Sequence, residues 1–382
     1  MSTTTESATK AGICNAILPV WSAFVDAFVN TCQAQGSALA RSPFAPGPRA
    51  PEYLPPVDRL VAVGDLHGDI DKTLRAFRLA GLIDNKNNWA GGTTTVVQVG
   101  DQLDRGGNEV AVFYFLERMA KEAQKVGGAV YSLNGNHETL NVAARFRYAT
   151  TDGALDFQRW CTLQKMGERM KQRCGQSVDG IKVPPLTSCP EGLNPVWCAR
   201  YLALAPGGPM AKRFLAPQNV VMQVGSTVFA HGGILPQHVQ YGLDRINNET
   251  SAWISGDQAQ TPMQLAIGDA SIPHHLIDSK SVVWRRDYSD SNPDQCKCDL
   301  LDQVLKSMPH DARRMVMGHT IQTQGINSAC GGQALRVDVG MSKGCRDGTP
   351  EVLEIIKDKI ISRLVELDGG VAERVPVHSE PQ

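Results

Sequence analysis

The stretch Leu60-Val61-Ala62-Val63-Gly64-Asp65-Leu66-His67-Gly68-Asp69 runs from a short apolar segment straight into carboxylates, imidazole and glycine. The same join recurs further along. Thr95 to Val99 leads into Gly100-Asp101-Gln102-Leu103-Asp104-Arg105-Gly106, and Val130 to Leu133 leads into Gly135-Asn136-His137-Glu138. Thr227 to Ala230 precedes His231-Gly232-Gly233, and Met315 to Met317 precedes Gly318-His319-Thr320. The apolar runs are short, rich in β-branched or other apolar residues, and closed by glycine or a polar side chain, which is the pattern of buried strands. As neighbours in one α/β sandwich, such strands bring Asp65, His67, Asp101, Asn136, His231 and His319 to a common rim at their carboxyl ends. The glycines permit the sharp turns this needs. A lone Asp-X-His or His-Gly-Gly says little, so the ordered set carries the reading.

Carboxylate, amide oxygen and imidazole together suit manganese, iron or zinc rather than a thiolate-bound metal. The set has room for two divalent ions, with Asp101 bridging, Asp65 and His67 on one ion, and Asn136, His231 and His319 on the other. Ions about 3.5 to 4 Å apart would acidify a shared water for in-line attack on phosphorus, so the chemistry expected is metal-assisted hydrolysis of a phosphate ester.

Taken with Val283-Trp284-Arg285-Arg286 and Val337-Asp338-Val339-Gly340-Met341, these clusters resemble the phosphoprotein phosphatase branch of the metallophosphoesterases. More narrowly, they resemble the Shewanella-like phosphatases, over about residues 58 to 366. The resemblance implies a calcineurin-like metallophosphoesterase β-sandwich flanked by helices, an α/β fold with a helical insert, acting on a phosphorylated protein. It implies that Arg105 and Arg286 grip the phosphate with Asn136, the Trp-X-Arg spacing favouring Arg286 over Arg285. A planar guanidinium holds two phosphate oxygens at once, which lysine cannot do. It also implies His137 as general acid, with Asp104 orienting and charging its imidazole. Two divalent ions, Arg105 and Arg286 outweigh Asp65 and Asp101, an excess of positive charge that a dianionic phosphate monoester would offset. The alternative is a hydrolase of dinucleoside polyphosphates or other small phosphorylated compounds, whose bacterial members share the first three motifs. The long insert and the Trp284 segment favour the protein substrate. A non-catalytic scaffold is disfavoured because every ligand and His137 are present.

The stretch between Glu138 and His231 is too long for a connection and must hold structure. Within it, Ala154 to Arg173 places Leu155, Trp160, Leu163, Met166 and Met170 at helical spacing. The insert, about 139–217, reads as a packing subdomain or as a cap that selects substrates. Upstream, Ile13, Ile17, Trp21, Phe24 and Phe28 describe a docking helix within 1–41. A proline-rich linker follows at 42–56, extended rather than folded. The catalytic domain then spans 57–366, closing on a hairpin of Val352 to Ile356 and Ile360 to Val365. The tail, 367–382, is expected to fray.

A chain of 382 residues with 42% hydrophobic content supports a substantial core. The formal net charge of -1 lacks the basic footprint of a nucleic-acid or membrane-surface protein. No apolar run approaches the length that crosses a bilayer. The ten cysteines read first as reduced thiols of a cytoplasmic protein, with disulfides and a structural zinc as the alternatives. Cysteine-rich relatives in the mitochondrial intermembrane space keep the disulfide alternative open, with oxidation locking the insert.

Overall fold

Short strands carrying apolar side chains on consecutive positions need cover on both faces, and they receive it. The computed structural model describes residues 49–173, 189–257, 272–276, 279–366 and 372–377. Its strands are β1 Tyr53–Leu54, β2 Arg59–Val63, β3 Thr95–Gln98, β4 Ala129–Ser132, β5 Val221–Val224 and β6 Thr227–Ala230. They continue with β7 Arg314–Met317, β8 Asn327–Ala329, β9 Ala334–Arg336, β10 Val352–Ile356, β11 Ile360–Glu366 and β12 Ala372–Pro376. The helices are α1 Ile70–Leu79, α2 Glu109–Gln124, α3 Asn136–Val142, α4 Thr151–Arg173, α5 Cys198–Leu204, α6 Pro236–Tyr241, α7 Leu243–Ser255 and α8 Cys298–Ser307.

Two six-stranded sheets result, ordered β1-β5-β6-β7-β9-β8 and β12-β11-β10-β2-β3-β4. The strands β2, β3 and β4 pair in parallel, with Val61 opposite Val96 and Val96 opposite Val130, and α1 and α2 make the crossovers between them. Along β6 and β7 the side chains divide between two cores. Phe229 and Val316 pack with Val61, Val63 and Val97 between the sheets, while Val228, Ala230, Met315 and Met317 pack outward with Phe214, Trp253 and Leu301. The five strands expected to carry ligands, and the closing hairpin, stand where the sequence places them.

Other expectations need correction. The linker is not free of the fold: Tyr53–Leu54 pairs in parallel with Gln223 and Val224 at the sheet edge, a position where flanking prolines are tolerated. The tail does not simply fray, because Ala372–Pro376 pairs antiparallel with β11 and Arg374 bonds the Glu354 carboxylate. The docking helix of 1–41 lies outside the described residues. Helix α4 forms and buries Trp160 as expected, but the rest of its inward face differs. Ala154, Phe157, Trp160 and Cys161 are buried, whereas Leu155 and Met166 are 36% and 43% exposed. Both phases fit a 3.6-residue period, and the larger aromatic area decides between them. The all-reduced reading of the cysteines also gives way, since Cys189 is bonded to Cys198 and Cys298 to Cys330. The second bridge separates the Cys-X-Cys pair, leaving Cys296 a buried thiol.

Candidate active site

Strands β2, β3, β4, β6 and β7 deliver their polar termini to one rim. The loops there are strained: His67, Asp101, Asp104, Arg105 and His319 adopt φ of 44°, 58°, 68°, 65° and 66°, conformations costing about 1–3 kcal/mol each for residues with side chains. Glu138 holds much of this geometry. Its buried carboxylate accepts the N–H groups of Asp101, Gln102, Leu103 and Gly135 at 2.8, 2.8, 3.0 and 2.7 Å. Glycine is required at 135 and 318, where a Cβ would overlap the carboxylates of Asp101 and Asp65.

Around Asp101 the site gathers acceptors. His67 Nδ1 donates to the Leu103 carbonyl at 2.9 Å and His231 Nδ1 to the Val99 carbonyl at 3.0 Å, so both rings turn Nε2 inward. His231 Nε2 then lies 3.2 Å from Asp101 Oδ2 and 2.9 Å from Asn136 Oδ1, so a ring nitrogen, a carboxylate oxygen and an amide oxygen converge on one point. His319 Nε2 is buried without a partner among the described residues. Burial drives the His67 pKa down to about 3, and burial followed by the nearby His231 drives that of His319 well below its usual value. Burial and then Asp338 and Asp101 push Asp65 well above the carboxylate range. Asp101 stays ionised, burial being outweighed by His231 and His137. Bare imidazoles, crowded carboxylates and an amide oxygen facing one another fit divalent cations, which would relieve the repulsion. Side-chain atoms able to hold a cation form two groups sharing Asp101, His67-Asp101-His137 and Asp101-His231-His319, each within 4.8 Å. Asp65 stands beside them, accepting the His319 N–H at 3.1 Å.

A cavity of about 60 Å³ opens over this centre and is lined by all the expected site residues except Asp104 and His231, which lie behind it. Arg105 and Arg286 both face it, with the Arg105 guanidinium 5.5 Å from the Tyr148 ring. Arg285 does not, being engaged by Asp287 and by the Ser279 carbonyl at 2.7 Å. Behind the wall, His137 Nδ1 donates to Asp104 Oδ2 at 2.6 Å. Burial opposes the His137 cation, but Asp101 and the Asp104 hydrogen bond raise its pKa. The sequence reading missed Tyr148, Ile321 and Asp338 in the lining and Arg200 behind Asp104. Asp338 sat inside a quoted motif without a role, and the others carry no sequence signal. A larger cleft of about 380 Å³ shares Trp284 and Arg286 with the cavity.

Paired sheets whose strand ends collect carboxylate and imidazole under two arginines, in a cavity the size of a phosphate, define a metallophosphoesterase, a metal-dependent hydrolase of phosphate esters. A model of the calcineurin-like phosphoesterase family matches residues 58–322. Shewanella-like protein phosphatase 2 of Arabidopsis thaliana is 42% identical over 97% of this chain and 93% of its own. The chain belongs to the calcineurin-like phosphoesterase family and, within it, to the Shewanella-like protein phosphatases. Shewanella-like protein phosphatase 1 of Plasmodium berghei is 26% identical over 76% of this chain and 69% of its own. Among solved structures, a cold-active protein-tyrosine phosphatase of a psychrophilic Shewanella has the same fold, with a TM-score of 0.59 at 20% identity over 90% of this chain and 87% of its own.

Proposed function

We propose that the protein is a phosphoprotein phosphatase that cleaves phosphate monoesters at a centre of two divalent ions, manganese, iron or zinc. The observation that carries this reading is the convergence of His231 Nε2, Asp101 Oδ2 and Asn136 Oδ1 beside a cavity faced by Arg105 and Arg286. Asp65 and His67 would hold one ion, Asn136, His231 and His319 the other, and Asp101 both. Bound there, the ions would supply an acidified water and polarise the phosphoryl group. Arg105 and Arg286 clamp the phosphate oxygens with paired N–H donors, and Asn136 helps to orient them. His137, its Nδ1 committed to Asp104, turns Nε2 towards the cavity and gives a proton to the leaving oxygen.

A protein substrate is supported by the activities in the relatives' names and by the cleft of about 380 Å³ beside Trp284, which has room for residues flanking the phosphorylated one. The two disulfides favour a compartment where such bonds persist, such as the mitochondrial intermembrane space, over the cytoplasm. The described residues contain no helix long and apolar enough to cross a membrane.

His137→Asn tests the reading with manganese-loaded protein. It should slow hydrolysis of a phosphoserine peptide by about 10²-fold or more and that of p-nitrophenyl phosphate far less, because an acidic phenol leaves with little need of a proton. Equal losses would remove the acid role from His137. Turnover of diadenosine tetraphosphate with none of any phosphopeptide would transfer the protein to the small-molecule reading.

A further inference from the structure

Arg200 is fully buried, yet it comes from helix α5 of the insert rather than from any strand-end motif. Its Nη2 donates to Asp104 Oδ1 at 2.7 Å and its Nε to Asn141 Oδ1 at 2.7 Å. Asn141 in turn donates to the same Asp104 oxygen at 2.9 Å and to the His137 carbonyl at 2.8 Å. On the far side, Nη1 lies 2.6 Å from Glu109 Oε2, off the line of the N–H bond. The guanidinium also packs against aromatic rings, its carbon 4.8 Å from the Phe157 centroid and 5.9 Å from that of Phe146. Helix α4 makes room through Gly153, where a Cβ would come within 2.6 Å of Glu109 Oε1.

Each direction of this arginine is therefore fixed, and so is the carboxylate it holds. Asp104 has one oxygen on His137 and the other on Asn141 and Arg200. Rotating it to release His137 would leave a buried guanidinium without its counter-charge, a change that low-dielectric surroundings penalise strongly. Lysine would not serve, since one ammonium cannot span the Asn141 amide and the Asp104 carboxylate as a planar fork does.

We propose that Arg200 is a positioning residue for the leaving-group proton, locking Asp104 and through it the His137 ring, so that the insert completes the catalytic dyad. The proposal rests on the acid role given to His137 above. If Arg200 merely neutralised charge in the core, its loss would lower stability and slow all substrates alike.

The experiment compares Arg200→Met, Arg200→Lys and His137→Asn in the full-length, manganese-loaded protein, with metal content measured for each. Both Arg200 variants should lower kcat for a phosphoserine peptide by about 10- to 100-fold with KM nearly unchanged, while p-nitrophenyl phosphate loses less than about threefold. In zinc-loaded protein, where no paramagnetic ion broadens it, the downfield NMR resonance expected of the His137 Nδ1 proton in the parent should disappear in both. If His137→Asn discriminates between the leaving groups but the Arg200 variants do not, the proposal is overturned and the acid role stands. Parent-like kinetics in Arg200→Lys would also overturn it, because charge alone would then suffice. If His137→Asn fails to discriminate, the acid role falls and the proposal with it. Should Arg200→Met not fold, Arg200→Lys, which keeps a buried positive charge, decides the question.

Discussion

The strand-end loops at 64–69, 100–106 and 135–138 and the helical insert that follows them meet at the same dyad but hold it by different means. The loops work through the backbone. Left-handed residues, glycines without room for a Cβ, and the Glu138 carboxylate gathering four N–H groups dictate where Asp101, Asp104 and His137 stand. The insert works through side chains: an aromatic face on α4 packs it in place, and one arginine on α5 reaches the carboxylate. Backbone-encoded geometry needs particular residues at fixed spacing and so leaves a motif, whereas a reach from a packed helix leaves none.

The sharpest way to break this contrast is Asp101→Asn. If the loops carry the ion centre, activity on alkyl and aryl phosphates alike falls on the order of 10³-fold, and elemental analysis finds the metal content reduced. Retained metal and activity would mean the loops are dispensable. Next in size is Trp160→Ala in the insert, which removes a buried indole bonded to Tyr114 at 3.0 Å. It should lower stability by about 3–5 kcal/mol in denaturant unfolding. Below the transition, it should leave the ratio of peptide to p-nitrophenyl phosphate turnover unchanged. A changed ratio would show that α4 does more than pack.

A smaller effect concerns Glu109, which shares Arg200 with Asp104. Two buried carboxylates on one guanidinium cannot both ionise cheaply. Burial pushes Glu109 up to about 8, while the His137 hydrogen bond and Arg200 keep Asp104 below its usual value. The folded protein thus keeps a proton on Glu109 that the unfolded chain releases near 4.5, so this group's contribution to stability declines as pH rises from about 5 to about 8. Glu109→Gln should flatten that decline in unfolding midpoints at pH 5.5 and 8, and an unchanged slope would return the proton to Asp104. The smallest effect is expected at exposed Met166, where Met166→Gln should move stability by no more than about 0.5 kcal/mol. A larger loss would restore the helix phase that the sequence favours.

The same contrast explains what was legible. The five strands that end in candidate ligands were readable because strand, glycine and candidate ligand sit next to one another in sequence, and the closing hairpin because two apolar runs flank Asp358-Lys359. The inward face of α4 was not, since Leu155 and Met166 repeat with the same period as Phe157 and Trp160 and only the neighbouring helices choose between them. Arg200 lies in Cys198-Ala199-Arg200-Tyr201, where nothing marks it as other than a helix-surface arginine. Cysteine pairing is set by spatial proximity, so the partnership of Cys298 with Cys330 rather than its near neighbour Cys296 could not be read. Strand β12 was hidden by its own composition, polar and ending in Pro376.

That composition has a use. Strand β12 is the outermost member of its sheet, and Ala372-Glu373-Arg374-Val375-Pro376 gives an arriving chain charge and a missing N–H instead of a sticky border. A protein shortened to residue 371 would hand the border to Ile360-Ile361-Ser362-Arg363-Leu364-Val365, turning a guarded margin into a template for self-association. Solubility on storage, rather than turnover, is where the loss of those last residues would first be felt.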